Sequence, residues 1–177
     1  RAMSAFVVEK GRKGFSSGKK EDKLGMRASE TAELIFDNCV IPSENLLGNL
    51  GEGFIQAMKV LDGGRISIAA LSLGIAKGAY FASLQYSMER EQFGKPLAAK
   101  QLIQSKLADM QTEITLGMQS VIRLGRLIDE GKIEPHMISL LKRNNCQKAL
   151  DIARQSRDIH GGNGISDEYH VIRHCMN

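Results

Sequence analysis

Two short segments carry residue types that could bind a diphosphate. Asp158-Ile159-His160 is followed at 161–164 by three glycines and an asparagine. Glycine tolerates positive φ, so this segment predicts the end of a helix and a backbone that a flat ligand can approach closely. A plain helix-to-helix turn is the alternative, because glycine caps are common. Arg90 begins the second segment, and its guanidinium suits a diphosphate, although a lone loop arginine is more often a surface charge.

A third segment, 62–65, places two glycines between an aspartate and an arginine. Each glycine inside a helix costs about 1 kcal/mol relative to alanine. The pair therefore predicts either a packing kink or a place where a ligand touches the backbone, and both interpretations stay open. An Asp–Arg pair at this spacing is usually structural.

Histidine and cysteine are placed unfavourably for a metal site. His170 and His174 stand at i and i+4 but lack the acidic residue of a zinc signature, and the other two histidines complete no metal-binding spacing. The three cysteines are far apart and odd in number, which argues against a disulfide scaffold and favours a reducing compartment. We therefore expect no metal.

Composition excludes further classes. The chain is 42% hydrophobic and 25% charged, as in a soluble globular protein. Its net charge of +4 is interspersed rather than clustered, so we expect no nucleic-acid partner. We recognise no signal peptide and no apolar run long enough to cross a membrane. The chain starts at Arg1 without a methionine and stops at Asn177 in a polar pattern, so we expect a fragment.

The first 48 residues have the pattern of strands. Apolar runs at 5–8 and 31–41 predict strands, while 11–18 predicts turns and 19–23 a solvated turn. These strands are too few to close a sheet. We therefore interpret residues 1–48 as the end of a β-domain.

From Gly51 onward the apolar spacing becomes helical. A first helix extends to about Met88, with an apolar face of Phe54, Ala57, Met58, Leu61, Ile68, Ala69, Ala76, Ala79 and Leu84. Further helices are predicted after Pro96, from Pro135 to Ile159, and from about Asp167. The predicted fold is α+β and mainly α, with an antiparallel four-helix bundle at 49–177 whose last helix is truncated.

Taken together, these segments resemble the acyl-CoA dehydrogenase family over essentially the whole chain. Singly each is weak, but their order and spacing are specific. The segments that carry the resemblance are 24–29, 34–37, 61–65, 90–94, 101–110 and 160–164. The resemblance implies FAD as cofactor and a dimer of dimers. It also implies an electron-transfer flavoprotein as acceptor, and a location in the bacterial cytoplasm or mitochondrial matrix.

The family pattern also implies residue roles. It implies that FAD of a neighbouring subunit is bound by Arg90, Gln92, Phe93 and Gln101. It implies that the adenine-diphosphate end of the cofactor is bound by Asp158, Ile159, His160, Gly161 and Gly162. It also implies that the acyl-CoA substrate contacts Asp62, Gly63, Gly64 and Arg65, with Phe54 and Leu61 lining its pocket.

The implied reaction is α,β-dehydrogenation of the thioester, in which a glutamate removes the α-proton and the β-hydrogen leaves as hydride. The family's glutamate lies in a Tyr-Glu-Gly-Thr segment, which we expect just beyond Asn177. No catalytic residue is therefore assigned, and residues 1–177 alone are predicted to be inactive. The isovaleryl branch places its base where this chain has Gly64, so that branch is disfavoured.

Subfamily signals are mixed. Residues 101–177 are closest to glutaryl-CoA dehydrogenase, whereas 62–65 resembles short-chain members. Asp158 stands where several families carry an amide. An oxygen-using acyl-CoA oxidase and a non-catalytic helical interaction module are the alternatives.

Overall fold

The computed structural model describes residues 3–177. The chain divides into two compact units, one up to Leu61 and one from Asp62 onward. The fold is α+β and mainly helical, with four α-helices, which confirms the predicted fold class. The domain boundary predicted after residue 48 stays a prediction.

The first unit contains two antiparallel strand pairs. Strand β1 (Ala5–Phe6) pairs with β4 (Leu46–Leu47), and β2 (Phe15–Lys20) pairs with β3 (Ala32–Phe36). The strands predicted near 5–8 and 31–41 are confirmed in shorter form.

The predictions of turns at 11–18 and of a solvated turn at 19–23 are wrong where β2 lies. The side chains across the pair explain the strand. Phe15 faces Phe36 with ring centroids 5.1 Å apart, and Lys20 Nζ lies 2.5 Å from Glu30 Oε1. Such cross-strand contacts offset the weak strand preference of glycine and lysine.

Helix α1 runs from Gly53 to Glu89 and passes through Gly63 and Gly64 without a break. It is long and apolar enough, by length and composition alone, to cross a membrane. The expectation that no apolar run reaches this length is therefore wrong. Core helices of soluble proteins meet the same criterion, so the finding is weak evidence for a span.

Three more helices complete the second unit. A hairpin of β5 (Glu91–Gln92) and β6 (Lys95–Pro96) connects α1 to α2 (Gln101–Asp129). Helix α3 covers Pro135–Ile159. The fourth helix was predicted from Asp167, but α4 is Val171–Met176. A 3₁₀ turn at Asp167–Tyr169 precedes α4, and His170 at φ 44° separates the two, because a left-handed residue ends one helical path.

The core of the second unit joins α1, α2 and α3. Two clusters of buried side chains form it, one comprising Ala76, Ala79, Leu107, Met110, Ile114, Ala149, Ile152 and Ile159, the other Ala69, Leu124, Ile138 and Leu141. Small residues of α1 let α3 approach closely. Ser83 Oγ donates to Ser156 Oγ at 2.7 Å, and Asn145 Nδ2 donates to the Ala69 carbonyl at 3.3 Å.

The beginning of α1 departs from the predicted core face. Phe54, Leu61 and Ile68 are 55%, 47% and 42% exposed, although Ala69, Ala76 and Ala79 on the same helix are buried. Helical spacing shows which residues share a face, but a large side chain is buried only where another element covers it. No described residue covers these side chains fully.

Candidate functional site

Arg90 stands where α1 ends and the hairpin begins. Its backbone N–H still donates to the Tyr86 carbonyl of α1 at 2.8 Å, and its carbonyl accepts from the Leu97 N–H, also at 2.8 Å. The last turn of α1 and the base of the hairpin thus hold the same residue. This double attachment fixes the Arg90 backbone while its side chain remains exposed.

Phe93 occupies the tip of the hairpin. Phe93 and Gly94 have φ values of 58° and 71°, the combination found in type I′ turns. Asparagine, aspartate or glycine usually fills the first of these positions, so phenylalanine there is strained. Its ring is 93% exposed, and Lys100 Nζ lies 5.6 Å from the ring centroid. Strain and exposure together suggest a side chain that is used in binding.

The glycine segment after α3 forms a sharp corner. Helix α3 ends at Ile159, and a 3₁₀ helix at Gly161–Ile165 follows. Gly161 has φ +56°, in the left-handed region. At Gly164 a Cβ would lie 2.1 Å from the Arg157 carbonyl oxygen, so the backbone itself fills that space. The predicted helix end is confirmed, and glycine serves both backbone conformation and close packing here.

The hairpin and the glycine corner face a common cavity of about 350 Å³. Its lining residues are Tyr86, Arg90, Gln92, Leu97, Ile159, His160, Gly161, Gly162 and Asn163. Six of the nine predicted cofactor residues therefore meet in one place, within a single chain. The cavity lining does not include Phe93, Gln101 or Asp158.

The electrostatics of this cavity favour an anion. Its lining includes the Arg90 guanidinium and no carboxylate. Within the described residues Arg90 makes no ion pair. The nearby carboxylate of Asp158 is paired with the ammonium group of Lys106 on α2. The cavity wall therefore carries a cation whose charge no described carboxylate neutralises, and a guanidinium fork matches phosphate oxygens.

His160 is buried in the corner, with 4% of its surface exposed. Its Nδ1 lies 2.8 Å from the Ser156 carbonyl, so Nδ1 carries the proton and donates. Burial lowers the pKa of His160, and the nearby His170 lowers it further, against the opposing effect of the Ser156 hydrogen bond. The imidazole is therefore neutral at neutral pH.

Sequence reasoning missed three lining residues, Tyr86, Leu97 and Asn163. Tyr86 could have been found, because it lies in the last turn of the predicted first helix, just before Arg90 in the sequence. The sequence pattern around Asn163 indicates only a turn. Leu97 follows the hairpin, and nothing in its local pattern points to a cavity.

The substrate candidates form no comparable enclosure. Arg65 Nη1 lies 2.7 Å from Asp62 Oδ1, a one-turn ion pair on α1. A Cβ on Gly63 or Gly64 would meet nothing within 4 Å. Arg65 instead borders a separate cavity of about 480 Å³. Phe54 and Leu61 remain largely exposed. The predicted roles of these residues stay predictions.

No group of three or more His, Cys, Asp or Glu residues that could hold a metal occurs within residues 3–177. The rings of His170 and His174 lie 6.0 Å apart. All three cysteines are free thiols.

Comparison with known proteins gives consistent matches. The family model described as acyl-CoA dehydrogenase, C-terminal domain, matches residues 51–177. A short-chain specific acyl-CoA dehydrogenase of Megasphaera elsdenii is 44% identical over 172 residues, which is 97% of this chain and 45% of that protein. The chain thus spans less than half the length of this relative.

Two solved structures are similar throughout the chain. Butyryl-CoA dehydrogenase from Megasphaera elsdenii has a TM-score of 0.96 and 43% identity, over 99% of this chain and 46% of that one. A glutaryl-CoA dehydrogenase from Mycobacterium smegmatis, solved in complex with FADH2, has a TM-score of 0.93 and 39% identity, over 98% of this chain and 45% of that one.

Proposed function

The chain belongs to the acyl-CoA dehydrogenase family, and from that premise we propose that it is part of an FAD-dependent acyl-CoA dehydrogenase. The observation that carries the proposal is the cavity shared by Arg90, Gln92 and the glycine corner. Two segments far apart in sequence converge there, and the wall that they form combines a free guanidinium with an accessible glycine backbone. These are groups that a diphosphate needs.

The residues present fit the adenine-diphosphate end of FAD. Arg90 would contact the diphosphate, and the Gln92 amide offers further hydrogen bonds. The backbone of Gly161 and Gly162 is exposed, and a Cβ at either position would meet open space. Because neither residue has a side chain, a ligand can approach this backbone closely. Phe93 and Gln101 do not line the cavity, so their contact with FAD remains a proposal drawn from the family pattern.

Bound FAD would supply the hydride acceptor for dehydrogenation between Cα and Cβ of the thioester. This chain's own contribution would be to bind and orient the cofactor and the acyl-CoA. We place acyl-CoA against the segment Asp62–Arg65, with Phe54 and Leu61 lining its pocket. The general base, a glutamate, lies outside these 177 residues in this proposal.

The proposed substrate is a short-chain or glutaryl-type acyl-CoA. Both types occur among the similar proteins, since one relative is short-chain specific and one similar structure is a glutaryl-CoA dehydrogenase. Electron-transfer flavoprotein as acceptor, assembly as a dimer of dimers, an intracellular location and a functional boundary between 1–48 and 49–177 belong to the same proposal.

Removing the Arg90 side chain tests the cofactor site. In the full-length protein that contains this chain, R90A is expected to weaken FAD binding by tenfold or more, since hydrogen bonds to charged groups contribute about 1.5–3 kcal/mol. The dissociation constant is measured by adding FAD to apoprotein and following flavin fluorescence. R126A is the control, because Arg126 is an exposed cation in the last turn of α2, away from the cavity.

Equal affinities of R90A and R126A would contradict the proposed site. Activity is tested separately with butyryl-CoA and glutaryl-CoA. Bleaching of the bound flavin by either substrate without oxygen supports a dehydrogenase, and peroxide formation in air would favour an oxidase instead. A full-length protein that binds no FAD would contradict the proposed function as a whole.

A further inference from the structure

Tyr86 lines the cavity and contacts the glycine corner through both its ring and its hydroxyl. Its ring stacks on the His160 ring, with centroids 4.2 Å apart and planes 23° apart. Tyr169 meets the Tyr86 ring edge-on at 5.5 Å. Tyr86 also packs against the larger core cluster, so its ring is held from several sides.

The Tyr86 hydroxyl joins the two residues that flank the glycine pair. It accepts a hydrogen bond from Asn163 Nδ2 at 3.1 Å and donates to the His160 carbonyl at 3.5 Å. His160 directly precedes Gly161, and Asn163 directly follows Gly162. One hydroxyl on α1 therefore connects both sides of a two-residue glycine segment that belongs to the corner after α3.

A glycine pair needs such a restraint. Glycine has more accessible backbone conformations than any other residue, so holding it in one of them loses more entropy. Gly161 and Gly162 have no side chains with which to anchor themselves, and a Cβ at either position would face open space. Their neighbours must therefore fix the backbone that lines the cavity.

We propose that Tyr86 is a positioning residue for the cofactor, and that its hydroxyl fixes the Gly161–Gly162 backbone opposite Arg90 for binding of an adenine diphosphate. The inference rests on the proposed function. Tyr86 and Arg90 are four residues apart at the end of α1, and the Arg90 N–H donates to the Tyr86 carbonyl. The end of α1 thus positions both the Arg90 guanidinium on one wall of the cavity and the Tyr86 hydroxyl that holds the Gly161–Gly162 backbone on the opposite wall.

Tyr86→Phe removes the hydroxyl and keeps the ring, so core packing and the stack on His160 persist. In the full-length apoprotein we expect Y86F to bind FAD about fivefold more weakly, which corresponds to the loss of a typical neutral hydrogen bond. Tyr80→Phe is the matched control. Tyr80 lies on the same helix, is partly buried and contacts Phe81 edge-on, but it does not line the cavity. Y80F is expected to bind FAD as the wild type does.

Two further readouts separate positioning from a merely structural role. ADP carries only the part of FAD assigned to the corner, so its inhibition constant against FAD rebinding should rise in Y86F by the same factor as the FAD dissociation constant. The melting temperature of the apoprotein should stay within about 1 °C of that of Y80F. If Tyr86 had a merely structural role, Y86F would instead lower the melting temperature. The affinities for ADP and FAD would then not fall by the same factor.

Asn163→Ala provides the second variant. If the hydroxyl acts through Asn163, the double variant Y86F/N163A should lose no more FAD affinity than the weaker-binding single variant. Additive losses, or an FAD affinity of Y86F equal to that of Y80F, would overturn the inference. Failure of the proposed function looks different, because then the wild type binds no FAD or R90A binds it normally.

Discussion

Gly63–Gly64 and Gly161–Gly164 both predicted a close approach of a ligand, yet the structure uses glycine differently in the two places. The first pair lies inside an unbroken helix, where a Cβ would meet nothing within 4 Å. In the second segment Gly161 is left-handed and Gly164 touches the backbone of α3. The second segment requires glycine at 161 for its backbone conformation and at 164 for close packing, whereas helix α1 accepts alanine at 63 and 64.

The largest expected effect is at Gly164. Its Cβ would lie 2.1 Å from the Arg157 carbonyl oxygen and 2.9 Å from the carbonyl carbon, and backbone atoms cannot move aside as a flexible side chain can. We expect G164A to lower the free energy of unfolding by about 3 kcal/mol, measured by urea denaturation. G162A is the control, because the same methyl group would meet open space there. Equal losses in the two variants would contradict the close-packing argument.

Replacing Gly64 with alanine is expected to change the free energy of unfolding in the opposite direction. Alanine fits the helical backbone and open surroundings, so G64A should raise the free energy of unfolding by about 1 kcal/mol. This variant also resolves the two interpretations of the glycine pair. If acyl-CoA touches this backbone, G64A raises the KM for acyl-CoA in the full-length protein despite the gain in stability. An unchanged KM would contradict a contact between acyl-CoA and the backbone at Gly64.

The smallest effect is a dependence of stability on pH, to which α1 contributes no titrating imidazole because it contains no histidine. Burial lowers the pKa of His160 below its ordinary value of 6.5 and has the same effect on the pKa of His174. The unfolded chain therefore binds more protons near pH 6, so stability is present above pH 6.5 and is lost as pH falls through the lowered folded values.

Urea denaturation between pH 7.5 and 5.0 checks this pH dependence. The decline in unfolding free energy should become shallower in H160Q, because that variant removes one of the two imidazoles whose pKa burial lowers. H136Q is the control, since His136 is exposed in the first turn of α3. A decline in H160Q as steep as in the wild type would assign the acid sensitivity elsewhere.

The elements that follow short-range rules could be predicted. Helices α2 and α3 have regular apolar spacing, and their ends near Gly131 and Ile159 agree with the prediction. Arg90 and the glycine corner, which the family resemblance assigns to the same cofactor, line one cavity. That assignment depended on the resemblance, because no local rule states that residues just after α1 and just after α3 share a cavity.

Other features could not be read from local pattern. Strand β2 forms because Phe15 and Phe36 stack across the pair, although its own residues resemble a turn. Exposure of Phe54 depends on which elements cover the start of α1, and spacing does not contain that information. The Lys106–Asp158 ion pair similarly joins two helices that only packing brings together.

The amino-acid sequence by itself determined the helical periodicity, the glycine positions at which a helix must end, and the supply of a cation and amides suited to a diphosphate. Tertiary structure alone decided that Tyr86, Arg90 and Asn163 face one cavity. The physical reason is the range of the interactions involved. Backbone conformation and periodicity depend on near neighbours, whereas the cavity depends on how closely α1 packs on α3, and the buried small residues Ala79, Ser83 and Ser156 set that approach.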